Sequence, residues 1–195
     1  MNHLRSYILL LCSVALANMV FSETAPSRIE SANDIGGRMQ LLRLNDASGN
    51  FAFPLAANAD LYNLPRDIQR VIVRIEDESS TSEALLETHD GVLVLVPQFS
   101  VLDGRNLPMD LPIWDSEQAW AGGEVSSQGR LGLSAFAVFD ALLGYLGRVS
   151  HFPQLQEVVF VGHGMTVDLV VRHGLRPQVA TSFRIRHIPG LLARR

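Results

Sequence analysis

At 195 residues and 21.5 kDa the chain suits one domain, with enough length to bury a core. Hydrophobic residues at 47% and charged ones at 18% are globular values that exclude wholesale disorder. A net charge of -4, a pI near 5.8 and the lack of a Lys/Arg-rich patch argue against nucleic acid or an anionic membrane as the main partner.

The N-terminal stretch "MNHLRSYILLLCSVALANMVFSETAPSR" has Arg5 as its positive region and an apolar run from Tyr7 to Leu16. Small residues suited to cleavage follow, at Ala15/Ala17 or Val20/Ser22. This layout predicts a signal peptide over residues 1–22, and hence a secreted or periplasmic protein with no membrane association after cleavage. The alternative, a membrane anchor, falls short of the ~20 apolar residues a spanning helix needs, and Asn18 interrupts the run. The single cysteine, Cys12, lies inside this segment, and "LLLC" lacks the small residue expected before a lipidated cysteine. The mature chain therefore has no disulfide, thiol nucleophile or thiolate metal site. It contains no N-x-[ST] sequon.

From Glu23 to Asn50 the sequence is polar and mixed, with "IGG" and "NDASGN", and reads as a polar, loosely packed N-terminal segment ahead of a domain over 51–195. "RVIVRI", Arg70 to Ile75, reads as a strand buried on both faces. Ser80, Thr81 and Ser82 offer caps for a short helix through Ala84, Leu85 and Leu86. Val92 to Val96 gives a second buried strand, stopped by Pro97. From Ser100 to Gly132, Pro108, Pro112, Trp114, Trp120 and "AGGEVSSQG" predict a long structured loop.

A helix follows, with Ala135, Phe136, Val138, Phe139, Leu142, Leu143 and Leu146 as its apolar stripe, Ser134 as cap and Gly147 as stop. "EVVFVG" is the third buried strand, leading into a helix from about Met165 to His173, and Thr181 to Ile188 is a fourth strand. Strands alternating with helices predict an α/β domain with a mainly parallel sheet flanked by helices. Ligands of such sheets sit beyond the carboxyl ends of the strands, at Glu76 to Ser79, Pro97 to Ser100, Gly162 to Thr166 and the turn after Ile188.

Taken together, "VLVLVPQF", Trp114, "W.GG" (Trp120, Gly122, Gly123), "LSAFAVFDALLGYL", "FPQLQEVVFVGHG" and "VVRHG" resemble the secreted branch of the α/β-hydrolase superfamily over roughly Phe51 to Pro189. The resemblance implies an incomplete α/β-hydrolase fold and a nucleophile elbow at Gly162, His163, Gly164, Met165 and Thr166. The family's serine stands where this chain has Gly164, so no hydroxyl is present to attack a carbonyl. Thr166 replaces the family's last elbow glycine, which predicts an opened turn. Where the family's oxyanion loop has H-G and R-N, this chain has Glu76, Asp77, Glu78 and Ser79, then Ser80-Thr81. Losing one good oxyanion donor costs roughly 3 kcal/mol, and acids beside a developing negative charge raise the barrier further. The chain also stops just beyond the strand where the family reads "vRYvvaNP", so the strands carrying the acid and histidine are expected to be absent. The implied protein is a catalytically inactive relative, without cofactor. The alternatives are a weak hydrolase with a rearranged or partner-completed site, or a small-ligand or metal module.

Other groupings read more simply as structure. His163 is expected to pack within the elbow. Ser134, Asp140 and His173 could be drawn as a triad, but Ser134 reads as a cap and Asp140 as a polar helix face. Ser182 and His187 fall on opposite faces of one strand. Asp168 and Arg172, spaced i, i+4, predict a surface ion pair. Asp77 with Asp115 or Glu117 could bind a hard cation, although no loop spacing supports it, and no metal site is expected. Gln98, Trp114 and Trp120 are candidates for a ligand cleft, with bracing of the loop as the competing role for the tryptophans. The last strand, if paired on one side only, offers an edge for self-association, blunted by Arg184, Arg186 and His187. Partners are otherwise an unspecified small molecule or protein.

Overall fold

The computed structural model describes residues 39–77, 89–99 and 109–190. The expected signal peptide over 1–22 and the helix expected after Ser80 lie outside these residues. In chain order the strands β1 (Met39–Asp46), β2 (Gly49–Ala57), β3 (Arg70–Ile75) and β4 (Val92–Pro97) come first. They are followed by β5 (Pro112–Ile113), α1 (Glu117–Gly122), β6 (Gln128–Gly129), α2 (Ala135–Leu146), β7 (Glu157–Gly162), α3 (Val167–Gly174) and β8 (Arg184–Pro189). The main sheet has six strands in the order β1-β2-β4-β3-β7-β8. Its β4–β3, β3–β7 and β7–β8 pairs are parallel, and β1–β2 and β2–β4 are antiparallel. The α/β class with a mainly parallel sheet is therefore what the chain forms.

The segment read as loosely packed up to Asn50 is a hairpin from Met39 onward. Met39 pairs with Ala56 and Asp46 with Gly49, and Asp46 Oδ1 accepts the Ser48 N–H at 2.8 Å to tie the two-residue turn. Leu41, Leu42, Leu44, Phe51 and Phe53 are all buried. The polar flanks of this stretch masked a run that is apolar on both faces of the sheet. The strand β3 also differs from expectation: Val71, Val73 and Ile75 are fully buried, but Ile72 and Arg74 are only partly so.

The two sheet faces are unequal among the described residues. One face presents Leu42, Leu44, Phe51, Phe53, Leu55, Val71, Val73, Leu93, Leu95, Val158 and Phe160 to α2 and α3, making the principal core. The other carries two small clusters, Leu41 and Ala52 under Leu111, and Ala56 with Val94 and Val96. Helix α2 forms where expected. Ser134 Oγ accepts from the Ala137 N–H at 3.3 Å, and the Gly147 N–H reaches the Leu143 carbonyl at 2.9 Å to end it.

The segment expected as an unbroken loop holds regular structure in its described part. Ser116 caps α1, with Oγ accepting from Ala119 N–H at 3.1 Å, while β5 and β6 form a small antiparallel pair. Gly123 closes α1 at φ +83°, the left-handed geometry that glycine adopts without strain. A side chain there would also meet Phe136 Cε2 at 2.7 Å. The final strand begins at Arg184 rather than Thr181, because Thr181 turns back to donate its hydroxyl to Phe183 O at 2.8 Å.

Candidate functional site

The strands β3 and β7 are neighbours, with Ile75 opposite Gly162, so the residues following each emerge together at one end of the sheet. Gly162 ends β7 beneath the next turn. A side chain on it would meet Thr166 O at 2.8 Å and Val167 Cα at 2.9 Å. Gly164 to Thr166 form one turn of 3-10 helix that continues as α3. This is the strand–turn–helix geometry of an elbow, and Gly164 sits at its apex with φ +56°.

The turn has not opened at Thr166. That residue is wholly buried, and its Oγ1 lies 2.6 Å from Ile75 O and 2.8 Å from His163 O while accepting the His163 N–H at 2.9 Å. The His163 N–H also reaches Ile75 O at 3.1 Å. The extra bulk over glycine is thus used: the hydroxyl adds a second partner to backbone groups already paired with one another, since the Thr166 N–H also donates to His163 O at 3.0 Å.

Near the apex lie two carboxylates, those of Glu76 and Asp77. A methyl group built on Gly164 would collide with Asp77 Oδ2. The space a nucleophile's side chain would fill is therefore occupied by a carboxylate. That anion lies at the N-terminal turn of a helical segment, where the backbone field favours negative charge. Glu76 is nearly buried, with Oε1 at 3.0 Å from Arg74 Nε and 3.2 Å from His163 Nδ1, an ion pair whenever the imidazole is protonated. Chemically, the end of the sheet offers a carboxylate over the apex and an imidazole whose buried Nδ1 lies near Glu76 without a hydrogen bond to it. It offers no hydroxyl or thiol at the apex. A tetrahedral oxyanion forming here would meet the Asp77 carboxylate.

Neither tryptophan lines a cleft. Trp114 and Trp120 are 1% and 2% exposed and gather around Phe99, which stacks on Trp120 at 4.6 Å and meets Trp114 edge-on at 5.4 Å. Trp114 Nε1–H donates to Glu124 O at 3.0 Å. Their apolar area drew them into the core and left them bracing the loop. Gln98 is half-buried, and its amide donates to Val96 O at 3.2 Å. The three side chains expected as a cleft are not assembled into one.

Asp168 and Arg172 do pair, at 2.7 Å. The Arg172 guanidinium also donates to Ala121 O at 2.8 Å and Gly122 O at 2.9 Å, so it caps the end of α1 as well. Among the described residues no group of three or more His, Asp or Glu side chains could hold a metal ion. Asp115 accepts from Ser127 Oγ at 2.6 Å.

One cluster was missed. Ser134 only caps α2, yet Asp140 is more than polar surface: its Oδ1 lies 3.1 Å from His173 Nε2. His173, 1% exposed, places Nδ1 at 2.8 Å from His187 Nε2. Burial pushes the His187 imidazole down from its usual 6.5 to about 4, and the neighbouring His173 adds to the effect. Ser182 precedes β8 and takes no part. The three residues come from α2, α3 and β8, so no local spacing betrays them.

No family model and no curated protein matches the chain. Among solved structures it is similar to a lidless α/β serine hydrolase from Xanthomonas campestris, at 14% identity and a TM-score of 0.37, covering 71% of this chain and 56% of that one. It is also similar to an esterase from Thermogutta terrifontis, at 12% identity and 0.38, covering 73% and 49%. A siderophore hydrolase from Aspergillus nidulans matches at 12% identity and 0.33, covering 75% and 56%. The chain thus spans about half the length of these proteins.

Proposed function

We propose that this chain is an exported protein of the α/β-hydrolase type, with an incomplete form of that fold, which lacks hydrolase activity and acts by binding. One observation carries the reading: the apex of the elbow is Gly164 at φ +56°, and the Asp77 carboxylate fills the space over it. Export rests on the apolar N-terminal segment with its positive flank and small-residue cleavage positions. The sequence resemblance supplies the hydrolase type, and the strand–turn–helix at Gly162 to Val167 agrees with it.

The test compares wild type, Gly164→Ser and the Asp77→Ala/Gly164→Ser double variant with a reactive phosphonate probe and short acyl esters. None should label or turn over ester above the buffer rate. Ester hydrolysis by wild type would overturn the proposal. A second reading, residual hydrolysis with His163 as a base beside Glu76, draws on their 3.2 Å contact. It requires wild-type turnover that His163→Ala abolishes.

A further inference from the structure

The Asp140–His173–His187 chain lies outside the elbow and has its own consequence. The interface it crosses is where β8, which among the described residues pairs only with β7, meets the rest of the molecule. His187 stacks on Phe160 at 5.3 Å and an interplanar angle of 6°, while His173 packs edge-on to Phe139 and Phe160 at 5.2 and 5.1 Å. A shared hydrogen between His173 Nδ1 and His187 Nε2, 2.8 Å apart, is what ties β8 to α3 through side chains.

Proton counting limits that tie. With Asp140 ionised, His173 Nε2 must carry a hydrogen to donate to it. Only one hydrogen fits between the two imidazoles. If both rings are neutral, His187 Nε2–H donates to His173 Nδ1. One added proton is accommodated either on His187 Nδ1 or, with the bridge reversed, on His173. A second would put hydrogens on both facing nitrogens, and the contact would become a repulsion between two cations. The folded pair therefore accepts one proton where the unfolded chain accepts two.

The charges around the pair, among the described residues, make no room for a second hydrogen between the two rings. From α2 the facing group is Asp140 itself. From α3 and the turn after it, Arg172 and Arg176 lie over the Phe136 ring, at 5.4 and 4.7 Å from its centre, and add positive charge. On β7 the charge is Glu157, three residues back from Phe160, where it lies within 3.9 Å of Arg184 and 3.5 Å of Arg186 of β8. We infer that Asp140, His173 and His187 form an acid-sensitive latch, which holds β8 against β7 and α3 at neutral pH and releases it on acidification.

The experiment is amide hydrogen exchange on the intact protein at pH 7.5 and 4.5, with each rate corrected for the intrinsic pH effect. Protection of the Arg184 and Gly190 amides, which donate to Gln156 O and Gly162 O, is expected to fall about tenfold relative to β3 at the lower pH. In His187→Phe, which keeps the stack on Phe160 and removes the proton site, that ratio should stay constant. Equal loss in both proteins, or no loss in wild type, would overturn the inference. Should the variant fail to fold, the wild-type imidazole resonances decide: a pair that takes up its second proton only at pH 5 or below supports the latch, and a pair with both rings protonated above pH 5 refutes it.

Discussion

Occupation of the elbow apex by Asp77 can be measured as a coupling energy. Gly164→Ala places a methyl group at φ +56°, where a non-glycine residue costs roughly 1–2 kcal/mol. The same methyl group collides with Asp77 Oδ2, so the carboxylate must move. Contacting residues couple by about 0.5–3 kcal/mol. The single variant should therefore lose about 2–4 kcal/mol. In an Asp77→Ala background the methyl group finds the space free, and only the backbone part of that loss should remain. Urea unfolding followed by Trp114 and Trp120 fluorescence suits the purpose, since both indoles are buried and both report on the core. With a constant slope, shifts in the midpoint convert directly to stability. If the two substitutions add to within about 0.5 kcal/mol, Asp77 does not occupy the apex, and the argument against catalysis there loses its main support.

Thr166→Val preserves shape but removes the hydroxyl that bridges Ile75 O, His163 O and the His163 N–H. Calorimetry should show a loss of about 1–2 kcal/mol, or roughly 3–6 °C in Tm; an unchanged Tm would mean that the hydroxyl does not hold the turn. Trp120→Ala should cost about 3–5 kcal/mol, because it empties a buried site stacked on Phe99, whereas a loss below about 1 kcal/mol would place Trp120 outside the core. For pH, His187 is depressed in the folded state, so the unfolded chain binds the proton first. Stability should be unaffected by this group above pH 6.5 and decline as pH falls from 6.5 to about 4. The full shift corresponds to roughly 3 kcal/mol, reduced by solvent at a half-open ring to about 1–2. Chemical denaturation from pH 7.5 to 4 should show this slope in wild type and a flatter one in His187→Phe.

Legibility followed locality. Ser134 and Gly147 bound α2 as read, because capping depends on residues within one turn. The strands β4 and β7 carry continuous apolar runs and stood out for the same reason. The hairpin of β1 and β2 did not, since Leu41 and Leu42 face opposite sides of the sheet, so no alternation shows. Pro54, within β2, also argues against a strand. The structure accommodates it where pairing with β4 has not yet begun: that ladder starts at Leu55, and Pro54 contributes only its carbonyl, to the Gln98 N–H. Gly164 was readable as a lost hydroxyl, but Asp77's place over it depends on β3 and β7 lying side by side. Trp114 and Trp120 pointed correctly to packing, but they line no cleft, because an apolar ring cluster closes around Phe99. The Asp140–His173–His187 chain joins residues 33 and 14 positions apart and could only emerge from the fold.

The sheet order has a kinetic side. The hairpin β1–β2 closes over a two-residue turn and can form within microseconds. The central strand β3 must instead find β7 at the far end of a long loop, with Arg70 opposite Glu157, and closing that loop carries an entropic cost before any contact rewards it. During synthesis β3 and β4 therefore emerge well before the strand that completes them. Until Glu157–Gly162 arrives, one side of β3 stays open to the wrong partner, and yield should depend on how fast that late strand docks.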